Sequence, residues 1–201
     1  MLGSSSSWVY VVDDDVAVRD AIATLLRAED FNVMSFASGE ELLASLDNLS
    51  SGCVVMDVRM PGPDGSCVQE RLAETRRDLA VILISGDGNI SLAVSALKHG
   101  ATDFFEKPFR PDALVSSIRS ALASLIRNSN ADRDFARLQL LTVREREILD
   151  RLVAGDTSKE IARVFRGSPR TVDVHRARVL KKLGARNVAE AVRIATDARL
   201  L

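Results

Sequence analysis

The sequence predicts an α/β domain built on a five-stranded parallel, doubly wound sheet, followed by a small all-α domain of four helices. In the first part of the chain, short apolar runs alternate with segments of helical period, whereas the last part shows helical period only. The charge also changes sign, since residues 1–130 carry 18 Asp and Glu against 11 Lys and Arg, and residues 131–201 carry 10 against 16. An acidic part joined to a basic part indicates two domains, with the basic one facing nucleic acid.

The five predicted strands are apolar almost throughout, as expected for strands buried on both faces of a sheet. They are Trp8–Val12, Phe31–Phe36, Cys53–Asp57, Val81–Ser85 and Thr102–Glu106. The segments between them carry apolar residues at helical spacing, as Val18, Ile22 and Leu25 do. These helices are predicted over Val16–Glu29, after a Ser38 N-cap, over Ser66–Thr75, over Asn89–His99 and over Arg110–Arg127. Five β/α units in series predict a parallel sheet covered by helices on both faces.

Residues 128–138 are polar and lack a clear apolar stripe, so we predict a linker there. The same residues contain neither Pro nor Gly, and continuation of the preceding helix stays open. The predicted domains are therefore 8–127 and 139–201, joined by 128–138.

The composition excludes a membrane-spanning segment, because no apolar run approaches 18 residues. The Gly/Ser-rich start, Met1–Ser7, lacks the charged and apolar pattern of a signal peptide, and we expect a cytoplasmic protein. Cys53 and Cys67 sit among apolar or small residues, which favours two buried free thiols over a disulfide.

Polar side chains follow four of the predicted strands. Asp13 and Asp14 come after the first strand, Asp57 ends the third, Ser85 ends the fourth and Lys107 follows the fifth. Ligands bind at the carboxyl ends of the strands in sheets of this kind, so we expect these residues to meet at one edge. Carboxylates bind Mg²⁺, and a carboxylate nucleophile forms an acyl phosphate. Lys107 and the Ser85 hydroxyl would contact the phosphoryl oxygens.

Each member of this set also has an ordinary explanation. The run Asp13-Asp14-Asp15 is compatible with a solvated loop or a helix N-cap. Asp57 alone is compatible with an ordinary strand end, and Lys107 alone with a solvent-facing side chain. The combination is more specific than any one of the residues.

Residues 8–127 resemble the receiver domain of bacterial two-component response regulators, which has a flavodoxin-like fold. The resemblance is carried by Val11-Val12-Asp13-Asp14-Asp15, Val55-Met56-Asp57-Val58-Arg59-Met60-Pro61, Ile84-Ser85-Gly86 and Phe105-Glu106-Lys107-Pro108-Phe109. It implies that a sensor histidine kinase phosphorylates Asp57. It implies that Asp14, Asp57 and the backbone carbonyl of Arg59 hold Mg²⁺, with Asp13 acting mainly through water. Ser85 and Lys107 would contact the phosphoryl group, and the Lys107–Pro108 bond would be cis.

The same resemblance implies a conformational switch. The Ser85 hydroxyl would move toward the phosphoryl group and Phe104 would move inward, although Phe104 as an ordinary core residue stays open. The face formed by the fourth helix, fifth strand and fifth helix would be the output surface. Asp87 would lie at the pocket mouth, either slowing phosphoryl entry, guiding a hydrolytic water or standing as a solvated loop acid. Such a domain catalyses only its own phosphoryl transfer and dephosphorylation, so we do not expect a classical enzyme.

The C-terminal part begins with a predicted capping box in which Thr142 is the N-cap and Glu145 the third helical residue. A second helix is predicted from Thr157, and a third from a Ser168 cap with Pro169 at its first position. A fourth helix is predicted over Asn187–Ala198. Two short helices joined by a tight turn predict a helix-turn-helix. Seven basic residues stand against one acid, Asp173, between Phe165 and Arg186.

This part resembles the LuxR-type DNA-binding domain of the NarL/FixJ subfamily, through Leu141-Thr142-Val143-Arg144-Glu145, Lys159-Glu160-Ile161-Ala162 and the FixJ-like run from Ser168 to Arg176. The resemblance places the helix from Ser168 to Leu183 in the major groove of double-stranded operator DNA. Base edges would be met by Arg170, Asp173, Val174 and Ala177, and phosphates by Arg176, Arg178 and Lys181. Asp173 either accepts from a cytosine amino group or pairs with a neighbouring arginine. The last helix, with Ala191, Val192 and Ile194, either pairs with its twin or forms local core.

These features predict a response regulator that acts as a transcription factor, with phosphorylation driving dimerisation and sequence-specific DNA binding. A sensor kinase, operator DNA and a second copy of the chain are the expected partners, and RNA polymerase is a further candidate. One alternative is a carboxylate-nucleophile phosphatase, but Arg59 occupies the position where those enzymes usually place a second Asp. Another alternative is a DNA-binding protein whose receiver has lost its chemistry.

Overall fold

The computed structural model describes residues 7–86 and 90–198, which form two compact units that divide between Ile126 and Arg127. The strands are β1 (Trp8–Val12), β2 (Asn32–Phe36), β3 (Gly52–Asp57), β4 (Leu79–Ser85) and β5 (Asp103–Glu106). The helices are α1 (Val16–Ala28), α2 (Gly39–Ala44), α3 (Gly65–Thr75), α4 (Ile90–Lys98), α5 (Pro111–Gln139), α6 (Val143–Val153), α7 (Ser158–Val164), α8 (Pro169–Leu183) and α9 (Val188–Asp197).

The five strands form one parallel sheet in the order β2-β1-β3-β4-β5, which confirms the predicted fold class. Alternate residues of each strand point to opposite faces, so the sheet has two cores. Tyr10, Val54 and Leu83 belong to one core, while Val11, Val55 and Ile82 belong to the other. The strands are therefore continuously apolar because both faces are covered.

The bounds differ from the prediction mainly at two elements. Strand β4 begins at Leu79 rather than Val81 and pairs with β3 over that added length. Helix α5 continues to Gln139 and includes residues 128–138, the continuation that the sequence left open. The domain bounds themselves stay a prediction.

The C-terminal helices begin where their caps were predicted. The Thr142 hydroxyl accepts from the Glu145 N–H, and the Glu145 carboxylate accepts from the Thr142 N–H, which completes the capping box. Thr157 and Glu160 form a second box before α7, and Ser168 caps α8 with Pro169 in its first turn. Buried residues of α6, α8 and α9 pack together, among them Leu149, Val179, Leu183, Ala191 and Ile194.

The two cysteines lie in different environments. Both cysteines are free, but Cys67 is exposed, so the expectation of two buried thiols was wrong for Cys67. Helix α3 buries Val68 and Leu72, and Cys67 falls on its other face. No helix within 7–86 and 90–198 is long and apolar enough to cross a bilayer.

Candidate functional site

The sheet register brings the predicted pocket residues to one edge. Val12 is paired with Met56, so Asp13 and Asp57 each follow a matched pair by one residue. Asp57 pairs with Ile84, and Ser85 pairs with Glu106, immediately before Lys107. The carboxyl ends of β1, β3, β4 and β5 therefore meet, as the sequence predicted.

One ammonium joins two carboxylates at this edge. The Nζ atom of Lys107 donates to Asp13 Oδ2 at 2.9 Å and to Asp57 Oδ2 in a short contact. The two carboxylates are nearly inaccessible to solvent, while the lysine side chain is 24% exposed. The positive charge thus offsets the repulsion between two acids in a site with little water.

Backbone groups fix the two acids from the other side. Asp13 Oδ1 accepts from the Asp15 N–H, and Asp57 Oδ1 accepts from the Arg59 N–H, both at 2.9 Å. Gly65 lies so close behind β3 that a Cβ atom there would be 2.5 Å from the Asp57 carbonyl oxygen. A side chain at Gly65 would therefore push on the strand end that carries Asp57.

The pKa values of Asp13 and Lys107 are both raised, but for different reasons. Burial raises the pKa of Asp13 and outweighs the hydrogen bonds from Lys107 and the Asp15 N–H, which lower it. Burial lowers the pKa of Lys107, but its hydrogen bonds to Asp57 and Asp13 outweigh that effect and raise the pKa overall. The ammonium therefore stays charged at neutral pH.

The remaining pocket residues occupy different environments. Ser85 is fully buried at the end of β4 and has polar contacts of its own. Asp14 is exposed and Asp15 is the N-cap of α1, so both ordinary explanations of the acidic run hold, each for a different residue. Phe104 is half-buried and packs on the core that contains Leu83. Asp87 lies outside the described residues.

The acids of this pocket are candidate ligands for Mg²⁺. In the part of the chain that the structure describes, no three His, Cys, Asp or Glu side chains converge as a metal site. Mg²⁺ keeps several waters and is commonly held by only one or two carboxylates, so three side chains are not required. Asp13 and Asp57 already share one cationic group, which shows that a single positive centre reaches both. This pair of carboxylates fits the ion.

Arg19 was not predicted as a site residue from the sequence. Its guanidinium donates to the Asp13 carbonyl oxygen and so holds the turn after β1. No periodic or motif signal marks this contact, because Arg19 lies one helical turn into α1. The Lys107–Pro108 bond is cis, which confirms that prediction.

The second candidate site is the outer face of α8. Its exposed side chains include three cations and one acid at helical spacing; the exposed members of the predicted DNA-binding set are Arg170, Asp173, Val174, Ala177, Arg178 and Lys181. The opposite face is buried through Val172, Val179 and Leu183. Helix α8 therefore exposes a face of net positive charge opposite the face that packs in the core.

Two predicted DNA residues are engaged within the protein. Arg176 is half-buried, donates to the Ser158 hydroxyl and lies 3.4 Å from Asp173 Oδ1, so one of the two roles expected of Asp173, pairing with a neighbouring arginine, is present. In the last helix, Ala191 and Ile194 are buried in the local core, and Val192 packs on a second cluster around Ile148.

Comparisons with known proteins match both parts of the chain. Residues 9–119 match the response regulator receiver domain, and residues 139–195 match the bacterial regulatory proteins of the luxR family. The transcriptional regulatory protein FixJ of Bradyrhizobium diazoefficiens is 41% identical over 197 residues, which cover 96% of both chains.

Two solved structures are similar over nearly the full length. The crystal structure of full-length FixJ from B. japonicum is 40% identical, covers 97% of this chain and 98% of its own, and has a TM-score of 0.62. The low-resolution structure of the response regulator StyR is 32% identical, covers 96% and 99%, and has a TM-score of 0.68.

Proposed function

Since this chain belongs to the two-component response regulators, in the FixJ-like group that joins a receiver domain to a LuxR-type DNA-binding domain, we propose that Asp57 accepts a phosphoryl group from a sensor histidine kinase. The observation that carries the proposal is the Lys107 ammonium, which bridges Asp13 and Asp57 at the strand ends. A positive group beside a carboxylate nucleophile offsets the charge of an incoming phosphoryl dianion.

The chemistry follows from the contacts. An oxygen of the Asp57 carboxylate attacks phosphorus, the bond from phosphorus to the kinase histidine breaks, and an acyl phosphate forms. The Arg59 N–H keeps the carboxylate oriented during this step. Lys107, already on Asp57 Oδ2, is placed to pair with a phosphoryl oxygen, and the Ser85 hydroxyl donates to another.

We assign the metal to Asp13, Asp14, Asp57 and the Arg59 carbonyl oxygen. Bound there, Mg²⁺ would neutralise the negative charge shared by the acids and the phosphoryl group. The exposed Asp14 side chain is open to solvent, so it would have to turn inward or act through water.

The acyl phosphate would shift the receiver between two states. Ser85 and Phe104 are the switch residues, and the shift would promote a homodimer that binds operator DNA. On α8, Arg170, Asp173, Val174 and Ala177 would face base edges, while Arg178 and Lys181 would contact phosphates. Arg176 belongs to the same helix, but Ser158 and Asp173 already engage its guanidinium. RNA polymerase is a further candidate partner, and the cytoplasm is the expected location.

The test is size-exclusion chromatography with light scattering, with and without Mg²⁺ and beryllium fluoride. We expect a shift from monomer to dimer in the wild type and none in Asp57→Asn, which removes the nucleophile but keeps the shape. Asp30→Asn is the matched control, because Asp30 is exposed before β2 and Asn tolerates its positive φ of 65°.

Incorporation of phosphate from acetyl phosphate is measured on the same three proteins. Uptake by Asp57→Asn equal to that of the wild type would refute the assignment of the acceptor. Uptake by the wild type without a shift from monomer to dimer would support Asp57 as the acceptor and refute dimerisation as the switch.

A further inference from the structure

Three polar side chains connect α7 to the DNA-facing helix α8. The Ser158 hydroxyl donates to Asp173 Oδ1 at 2.7 Å and accepts a short hydrogen bond from Nη1 of Arg176. The same Arg176 nitrogen lies 3.4 Å from Asp173 Oδ1. A serine hydroxyl has one proton, so Ser158 directs it to the carboxylate and offers a lone pair to the guanidinium. Within the described residues, Asp173 Oδ2 accepts no hydrogen bond.

Helix stability does not explain Asp173. Acidic side chains stabilise the first turn of a helix, but Asp173 is the fifth residue of α8 and lies beyond that turn. The ion pair with Arg176 is solvent-accessible, with an Asp173 side chain that is 60% exposed, and such pairs contribute little.

Asp173 also acts against DNA binding in general. It is the one acid against seven basic residues between Phe165 and Arg186, and it lies on the exposed face of α8. A carboxylate there repels phosphates at every sequence and also neutralises Arg176. A hydrogen-bond donor on a base would supply a contact that compensates for this repulsion. In the major groove, the cytosine N4 amino group is such a donor, and Asp and Glu accept from it.

We propose that Ser158 and Arg176 hold Asp173 as a specificity-determining residue, which accepts from a cytosine amino group and lowers binding to DNA that lacks one at that position. The inference rests on the proposed DNA-binding function. Ser158 and Arg176 are positioning residues in this arrangement, and Arg176 is not a phosphate contact. The free Oδ2 atom is the acceptor offered to the base, since Oδ1 is occupied.

The experiment uses the full chain, activated with Mg²⁺ and beryllium fluoride. A pool of random-sequence duplexes is selected by the wild type and by Asp173→Asn, and the enriched sequences are compared. Binding to a random-sequence duplex is then measured over a range of salt concentrations. Glu147→Gln is the matched control, because Glu147 pairs with Arg144 at the same i,i+3 spacing on α6 and its loss changes the net charge equally.

We expect the wild type to select cytosine at one position of each half-site. Asp173→Asn should lose that preference by about tenfold, in the range of one base contact. It should also bind random duplex more tightly, with a salt slope steeper by about one, because Arg176 is released to a phosphate. Glu147→Gln should keep the wild-type cytosine preference.

Variants of Ser158 distinguish the positioning of Asp173 from a change in net charge. Ser158→Ala leaves the net charge unchanged but releases Asp173 and Arg176, so the cytosine preference should weaken. Ser158→Thr keeps the hydroxyl and should restore the preference. A purely structural role would weaken all positions of the selected sequence together.

Three outcomes would overturn the inference. Asp173→Asn with the selected sequence and salt slope of the wild type would exclude a role for the carboxylate. If Glu147→Gln changed the cytosine preference and the salt slope as Asp173→Asn does, the effect of Asp173 would be one of net charge alone. If the wild type itself selects no sequence, the proposed function fails and the inference fails with it.

Discussion

Two buried carboxylates, Asp13 and Asp57, share the Lys107 ammonium at the ends of three strands. Each acid also accepts from a backbone N–H, so their positions are fixed before any ligand arrives. Burial still disfavours the charge on Asp13 and raises its pKa. The site therefore retains a charge that the folded state holds at a cost, as functional sites commonly do.

Asp13→Asn tests this cost. Folding raises the pKa of Asp13 above the usual 3.8. The free energy of unfolding of the wild type therefore falls as pH rises from 3.8 through the raised pKa, and it stays at the lower value at higher pH. Asn carries no charge, so the variant should be more stable at pH 7, and its advantage should shrink toward pH 4. Urea unfolding without Mg²⁺, followed by the fluorescence of Trp8, the one tryptophan in the chain, measures the difference.

Asp14→Asn is the control, since it removes an exposed charge from the same turn. An identical pH dependence in Asp13→Asn and the wild type would contradict the expected cost of burying the charge.

Single residues were predictable where the fold brings strand ends together. Asp13, Asp57, Ser85 and Lys107 follow from the parallel order of the sheet alone. Contacts between side chains of separate helices were not predictable, because no sequence pattern relates Ser158 to Asp173, fifteen residues further on. Burial of a helical residue depends on which face packs, and this is why the expectation for Cys67 was wrong.

Helix caps are the elements that the sequence predicted best, since a cap joins residues only three apart. Ser38, Thr142 and Ser168 all accept from the backbone as expected. The capping box of α6 has an added function that its pattern does not show. Glu145 also accepts from Lys182 Nζ at 2.6 Å, and the same ammonium donates to the Leu140 carbonyl oxygen at 3.0 Å. One carboxylate thus joins the start of α6 to the end of α8.

Glu145→Gln should loosen this junction by about 1.5 kcal/mol, the range for a charge-assisted hydrogen bond. The hydrogen bond from Lys182 and that from the Thr142 N–H lower the pKa of Glu145 to about 2. Its contribution is therefore complete above the usual 4.5 and is lost as pH falls toward 2. Amide hydrogen exchange over Val143–Val153 measures the change.

Glu160→Gln is the matched control, since Glu160 closes the equivalent box before α7 without a hydrogen bond from lysine. Equal loss of protection at the starts of α6 and α7 would show that the box alone matters and that Lys182 adds nothing.

At the scale of the whole molecule, the change of charge along the chain coincides with two separate sets of buried residues. The sheet cores contain Ile82 and Leu114, whereas the C-terminal cores contain Ile148 and Leu183. Composition alone predicted two domains because an acidic and a basic half have different partners. The end of α5 was not predictable, because neither Pro nor Gly marks it.

Separate cores predict separate responses to truncation. Ile82→Ala and Ile148→Ala each remove a buried side chain and should cost about 3 kcal/mol in their own unit. Urea unfolding followed by Trp8 should move to lower urea in Ile82→Ala only, and exchange protection of α6 should fall in Ile148→Ala only. A single transition that both variants shift equally would contradict this separation.

The two cysteines have opposite accessibility, so their rates of chemical modification should differ. Cys67 lies open on α3, while Cys53 lies fully buried in β3, where burial also raises the pKa of its thiol. An alkylating reagent should therefore modify one sulfur at once and the other only when the central strand separates from its neighbours. The slow rate of modification at Cys53 then measures how often β3, the strand that carries Asp57, opens. The exposed Cys67 offers an attachment point for a fluorophore without mutagenesis.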